Sequence, residues 1–135
     1  MESSNRDAEM KIEGIDHVAL TVKDVEHSIE WYQKVLRLER RYQKAWGNRP
    51  AMLCAGTTCL ALFEADDRQP TPVPDHSPLA MRHLAFRVNR ENFEKAQQEL
   101  AEAAIKFRFE DHGISHSIYF QDPDGHNLEI TTYDL

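Results

Sequence analysis

The chain has 135 residues, 41% of them apolar and 29% charged, with a formal net charge of −7. That length suits one globular domain, and the acidic balance argues against nucleic acid or an anionic membrane as the main partner. No apolar run approaches the roughly 18 residues that a membrane helix needs, and the polar, charged N-terminus is unlike a signal peptide, which points to a cytoplasmic protein. Residues 1–11 read as a flexible tail. Residues 12–135 read as a single domain, with one module over 12–65, a proline-rich linker over 66–80 and a second module over 81–135. The cysteines, Cys54 and Cys59, read as reduced thiols in the core, with a disulfide as the weaker alternative.

In chain order, residues 15–22 alternate as a half-buried strand, with Val18, Leu20 and Val22 on one face. Asp24 is the expected N-cap of a helix through Leu36, with Val25, Ile29, Tyr32 and Leu36 as its apolar stripe. Strands are expected over 39–44, 51–55 and 59–64, with turns at Gly47-Asn48 and Gly56. Pro70, Pro72, Pro74 and Pro78 rule out regular structure in the linker. A strand over 82–88 follows, then a helix capped by Asn89 and running to about Ala104, with Phe93, Ala96, Leu100 and Ala103 along one face. Strands over 107–110, 117–121 and 127–133 complete the chain, the last two joined by the turn Asp122-Pro123-Asp124-Gly125.

The order βαβββ therefore occurs twice, and each copy opens on a related phrase. Ile15-Asp16-His17-Val18-Ala19 and Met81-Arg82-His83-Leu84-Ala85 place a histidine at the same position in both. Two such modules form an α+β fold, with helices outside a curved mixed sheet and a central cup on its other face. Strand parity sends His17, His83, Ala85 and Arg87 to the cup face, because their neighbours must meet the helices. The same argument places Ser117, Tyr119, Gln121, Glu129, Thr131 and Tyr133 there. Two imidazoles and a carboxylate, His17, His83 and Glu129, suit one divalent transition metal with positions left open for substrate. Fe, Mn, Zn and Ni are not distinguished by this donor set. Aligning Leu60-Ala61-Leu62 with Leu128-Glu129-Ile130 puts a methyl group at the fourth symmetric position, so a three-ligand site is expected. Glu64 has the opposite parity.

Taken alone, each histidine reads as a core imidazole satisfied by backbone groups; the repeat symmetry with Glu129 turns the balance to metal. Tyr119 and Glu129 are the catalytic candidates, and Ser117, Arg87 and Trp46 the substrate-binding ones. His112 and His116 do not read as a ligand pair, because Gly113 breaks helical spacing and His116 has outward parity. His27, His76 and His126 read as surface residues, and the acidic cluster Glu64, Asp66 and Asp67 as a solvated patch rather than a second metal site.

These phrases, together with Ser117-Ile118-Tyr119-Phe120-Gln121-Asp122-Pro123-Asp124-Gly125-His126-Asn127-Leu128-Glu129, resemble the vicinal oxygen chelate superfamily over about residues 12–133. That superfamily includes glyoxalase I, extradiol dioxygenases, fosfomycin-modifying enzymes and bleomycin-binding proteins. The resemblance implies the glyoxalase/bleomycin resistance/dihydroxybiphenyl dioxygenase fold, metal positions at His17, His83 and Glu129, and a substrate-touching tyrosine at Tyr119. It also implies a homodimer, in which the cup is closed within one chain or shared between two. Ala61 stands where glyoxalases carry a fourth ligand. The basic segment with which fosfomycin enzymes continue beyond the last strand has no counterpart before Leu135. The expected function is a metal-dependent enzyme acting on a small oxygenated substrate, of lyase, transferase or dioxygenase type. The alternative is a drug- or metabolite-sequestering protein of the bleomycin-resistance type.

Overall fold

A computed structural model describes residues 9–66 and 80–135, so most of the expected tail and linker lies outside the described residues. Strand β1 (Val18–Val22) leads into helix α1 (Val25–Val35). Asp24 caps this helix by accepting from the His27 amide at 3.2 Å, which satisfies one of the unpaired first-turn donors. Val25, Ile29 and Tyr32 recur at helical spacing and are buried. Arg37, at φ 58°, ends the helix in the left-handed region, where the Leu38 amide returns to the Tyr32 carbonyl at 3.3 Å.

Strand β2 (Glu39–Arg41) is shorter than the alternation implies. Tyr42, at φ 59°, turns the backbone out of the strand and starts a short helix, α2 (Gln43–Trp46). Trp46 therefore sits on a helix. Strands β3 (Ala51–Ala55) and β4 (Thr58–Glu64) complete the first module. In the second, β5 (Leu84–Arg87) is followed by α3 (Arg90–Glu102), β6 (Arg108–Asp111), β7 (His116–Gln121) and β8 (Asn127–Thr132). Asn89 caps α3 by accepting from the Asn92 amide at 2.9 Å.

The strands form two four-stranded sheets, ordered β1-β4-β3-β2 and β5-β8-β7-β6. In each sheet the first and last strands of the module run parallel, and a helix makes the crossover; the remaining pairs are antiparallel. The βαβββ repeat is present in both halves.

One apolar core joins the helix-covered faces of the two sheets, running from Leu20, Val22 and Tyr32 to Phe93, Ile118 and Leu128. A fully buried large side chain such as Phe93 contributes roughly 1.5–3 kcal/mol by leaving water. Polar ties between the modules centre on the Asp122–Gly125 turn. Tyr32 Oη donates to Asp122 Oδ2 at 2.7 Å, and the Lys23 amide donates to Asp124 Oδ2 at 3.2 Å. Burial first, then the adjacent Asp122 carboxylate, pushes the Tyr32 phenol far above its ordinary pKa. His126 is not a free surface residue: its Nε2–H donates to the Thr21 carbonyl at 2.8 Å, which joins the turn to β1.

The reading of Cys54 and Cys59 as reduced thiols is corrected by the structure, where they form a disulfide with Cα atoms 4.1 Å apart. The tight Gly56-Thr57 turn places them directly opposite one another across β3 and β4. That register was not available from the spacing alone. Among the described residues, no helix is long and apolar enough to cross a membrane.

Candidate functional site

His17 and His83 each stand one residue before the first strand of their module. The two sheets share one lattice of positions. Val18 pairs with Leu60 and Ala19 with Ala61 in the first sheet, while Leu84 pairs with Leu128 and Ala85 with Glu129 in the second. Ala61 and Glu129 are thus equivalent, as the sequence alignment of the halves requires. Glu64 falls on the helix side, where its Oε2 accepts from the Val25 amide at 3.1 Å.

The second sheet gathers a polar group on its face away from the helix. His83 Nε2 lies 2.8 Å from Glu129 Oε1. Glu129 is only 7% exposed, so its charge needs partners. Its other oxygen, Oε2, accepts from Ser117 Oγ at 2.6 Å, and Ser117 Oγ lies 2.9 Å from Thr131 Oγ1. The His83 and Tyr119 rings meet edge to face, with centroids 5.7 Å apart. Burial, and after it the Glu129 charge, raises the Tyr119 phenol above its ordinary pKa, so it is neutral and can donate. Arg87 lies on the same face in register with Thr131, its guanidinium 4.4 Å from the centre of the Tyr133 ring.

The donor set fits a divalent transition metal. His83 Nε2 and Glu129 Oε1, in direct contact at 2.8 Å, are nitrogen and oxygen donors of the kind such an ion accepts. The hydrogen bond from Ser117 fixes the carboxylate as an outer-shell partner does.

His17 is not part of this group within one chain. Its Nδ1 lies 2.8 Å from Asp16 Oδ2 in an exposed position on the first module. Among the described residues, no three His, Cys, Asp or Glu side chains of a single chain form a metal-holding group. Trp46 also belongs to the first module, where it packs on Tyr42 with ring centroids 5.0 Å apart.

His112 is the residue that spacing arguments pass over. Its Nε2 is in hydrogen-bond contact with Tyr119 Oη at 2.9 Å, and Arg108 covers the Tyr119 ring at 4.8 Å. The signal for Arg108 is its pairing with Tyr119 across β6 and β7, which requires the register of an edge strand. His116 has the outward parity expected of it, with Nδ1 2.9 Å from Arg90 Nη2 on the helix side.

The sequence profile of the Glyoxalase/Bleomycin resistance protein/Dioxygenase superfamily matches residues 14–130. The chain belongs to this superfamily. Among its curated members, the chain is 33% identical over 129 residues to a metallothiol transferase FosB of Staphylococcus epidermidis, covering 93% of this chain and 86% of that one. It is 29% identical over 120 residues to the glutathione transferase FosA of Serratia marcescens, covering 88% of this chain and 80% of the relative. A solved superfamily domain from Frankia sp. EAN1pec shares the fold with a TM-score of 0.75 at 24% identity, over 90% of this chain and 93% of that one. The repeated βαβββ architecture is therefore that of the superfamily.

Proposed function

We propose that this chain is a divalent-metal-dependent transferase that adds a low-molecular-weight thiol to a small oxygenated electrophile. The observation that carries the reading is the approach of His83 Nε2 to the buried Glu129 carboxylate, braced by Ser117, on the open face of the second sheet. The thiol-transfer step is taken from the relatives named metallothiol transferase and glutathione transferase.

His83 and Glu129 would hold the metal together with His17 from a second copy of the chain. Two features support the shared arrangement. Strands β1 and β5, which follow the two histidines, are both sheet edges among the described residues. The helix-covered faces are already consumed by the core within one chain. A twofold dimer would set β1 of one copy beside β5 of the other and form two equal cups. With Nδ1 held by Asp16, His17 is left with Nε2 for coordination.

A bound divalent ion supplies Lewis acidity toward oxygens of the substrate. The remaining work falls to side chains of this chain. Tyr119, kept neutral and positioned by His112, donates to a substrate oxygen. Arg87 neutralises an anionic group on the substrate, and Trp46 walls the pocket from the first module. Ser117 holds Glu129 in orientation.

The test is thiol consumption by protein loaded with Mn²⁺, using glutathione and an epoxide that carries a phosphonate, with metal content measured in parallel. Activity and metal uptake should both fall in His83→Ala and Glu129→Gln. A wild-type protein that binds no divalent metal and consumes no thiol overturns the reading and favours a sequestering protein.

A further inference from the structure

The disulfide lies outside the metal reading and stands independently of it. Cys54 and Cys59 oppose each other across the β3–β4 hairpin, on the sheet face that also carries Met52 and Ala61. The equivalent positions in the second module are Gln121 and Asn127, whose side chains share an ordinary hydrogen bond of 3.0 Å. A disulfide thus replaces a polar pair at a site where the other module does without a covalent link.

Two observations give the pair a direction and a lasting geometry. The first is unequal access: Cys54 is 0% exposed, whereas Cys59 is partly exposed. The second is that the hairpin does not depend on the bond. Leu53, Leu60 and Leu62 are fully or almost fully buried, β3 and β4 are interior strands, and Arg41 Nη1 on β2 donates to the Gly56 carbonyl in the turn at 2.8 Å. Opening the bond leaves both sulfurs opposed and able to reclose.

We infer that Cys54–Cys59 is a thiol-exchange site, entered at Cys59 by a low-molecular-weight thiol. The thiolate of that thiol attacks Cys59 Sγ, the Sγ–Sγ bond breaks, and the electron pair leaves on Cys54 Sγ, which takes a proton from water. A second thiol attacks the external sulfur of the mixed disulfide and releases the Cys59 thiolate, which is protonated in turn. In sum, two thiols are oxidised to one external disulfide, and the protein disulfide is reduced to two thiols. Cys54 never carries the adduct, because the incoming group cannot reach it.

Intact mass spectrometry and peptide mapping of the native, full-length protein test this, with glutathione and glutathione disulfide as the probes. Cys54→Ser treated with glutathione disulfide should gain a single adduct on Cys59, at least about tenfold faster than Cys59→Ser gains one on Cys54. Wild-type protein treated with glutathione and quenched with acid should show its mixed disulfide on Cys59. Circular dichroism of reduced wild type should remain native. Equal or faster modification of Cys54 overturns the direction. Reduction that occurs only in urea, or that melts the hairpin, overturns the site and leaves a purely structural crosslink. The wild-type measurements decide the matter if either variant fails to fold.

Discussion

Ser117→Ala isolates the support of Glu129, the proposed metal-holding carboxylate, without touching a proposed ligand. The substitution removes one hydroxyl from a fully buried position and leaves Glu129 Oε2 without its 2.6 Å donor. A hydrogen bond to a charged group contributes about 1.5–3 kcal/mol, so the metal-free variant should be less stable by roughly that amount. Loss of an outer-shell partner typically weakens metal binding by about 10–100-fold. The two effects are read together in thermal melts with and without Mn²⁺. At a metal concentration of about 100 times the wild-type Kd, the wild type gains roughly 2.7 kcal/mol, and a variant weakened tenfold gains only about 1.4 kcal/mol. At roughly 2–4 °C per kcal/mol for a chain of this size, the metal-induced shift falls from about 5–10 °C to about 3–6 °C. Titration calorimetry gives the affinity directly. A Ser117→Ala protein with wild-type affinity and an undiminished metal-induced shift would refute the claim that Ser117 organises Glu129.

Mixing His17→Ala with Glu129→Ala should restore about one metal site per mixed dimer if each cup is built from two copies; metal analysis of the separated heterodimer checks this, and no recovery means that the cup closes within one chain. Tyr32→Phe should cost roughly 2 kcal/mol at neutral pH by stripping Asp122 of a buried donor, measured by urea unfolding. The sign of the pH effect is opposite: the folded state keeps the Tyr32 proton above the unfolded phenol pKa of about 10, so stability falls as pH rises beyond it. The variant should accordingly show a shallower alkaline loss in the same assay. Ala104, at φ 59° beyond the end of α3, should gain about 1 kcal/mol on change to Gly, seen as a higher melting temperature with unchanged metal binding.

Periodicity made most of the fold legible. The alternation around Leu20 and Ile130 and the helical stripes at Ile29 and Phe93 gave both modules, and Asp24 and Asn89 marked where the helices begin. Parity alone put His83, Glu129, Ser117 and Tyr119 on one face, since side-chain direction follows from counting along a strand. Counting fails where the backbone leaves its regular path. Tyr42 adopts a positive φ that its sequence does not announce, so β2 ends at Arg41, short of the strand expected to Lys44. It also fails for relations between strands: the disulfide, the Arg108–Tyr119 stack and the His112 contact all depend on register. The place of His17 depends on how modules associate, which lies beyond any pattern within one strand.

The replacement of Glu129 by Ala61 at the matching point of the first module has a consequence for how such a scaffold can diversify. The second module must keep partners for a buried carboxylate at that point, while the first, with a methyl group there, carries no such constraint. Exchanges at the exposed Phe63, which shares a strand face with Ala61, reshape that surface without touching Glu129. The two halves of one repeated fold are thereby held to different standards at the same lattice point: a partnered carboxylate in one, a replaceable methyl group in the other.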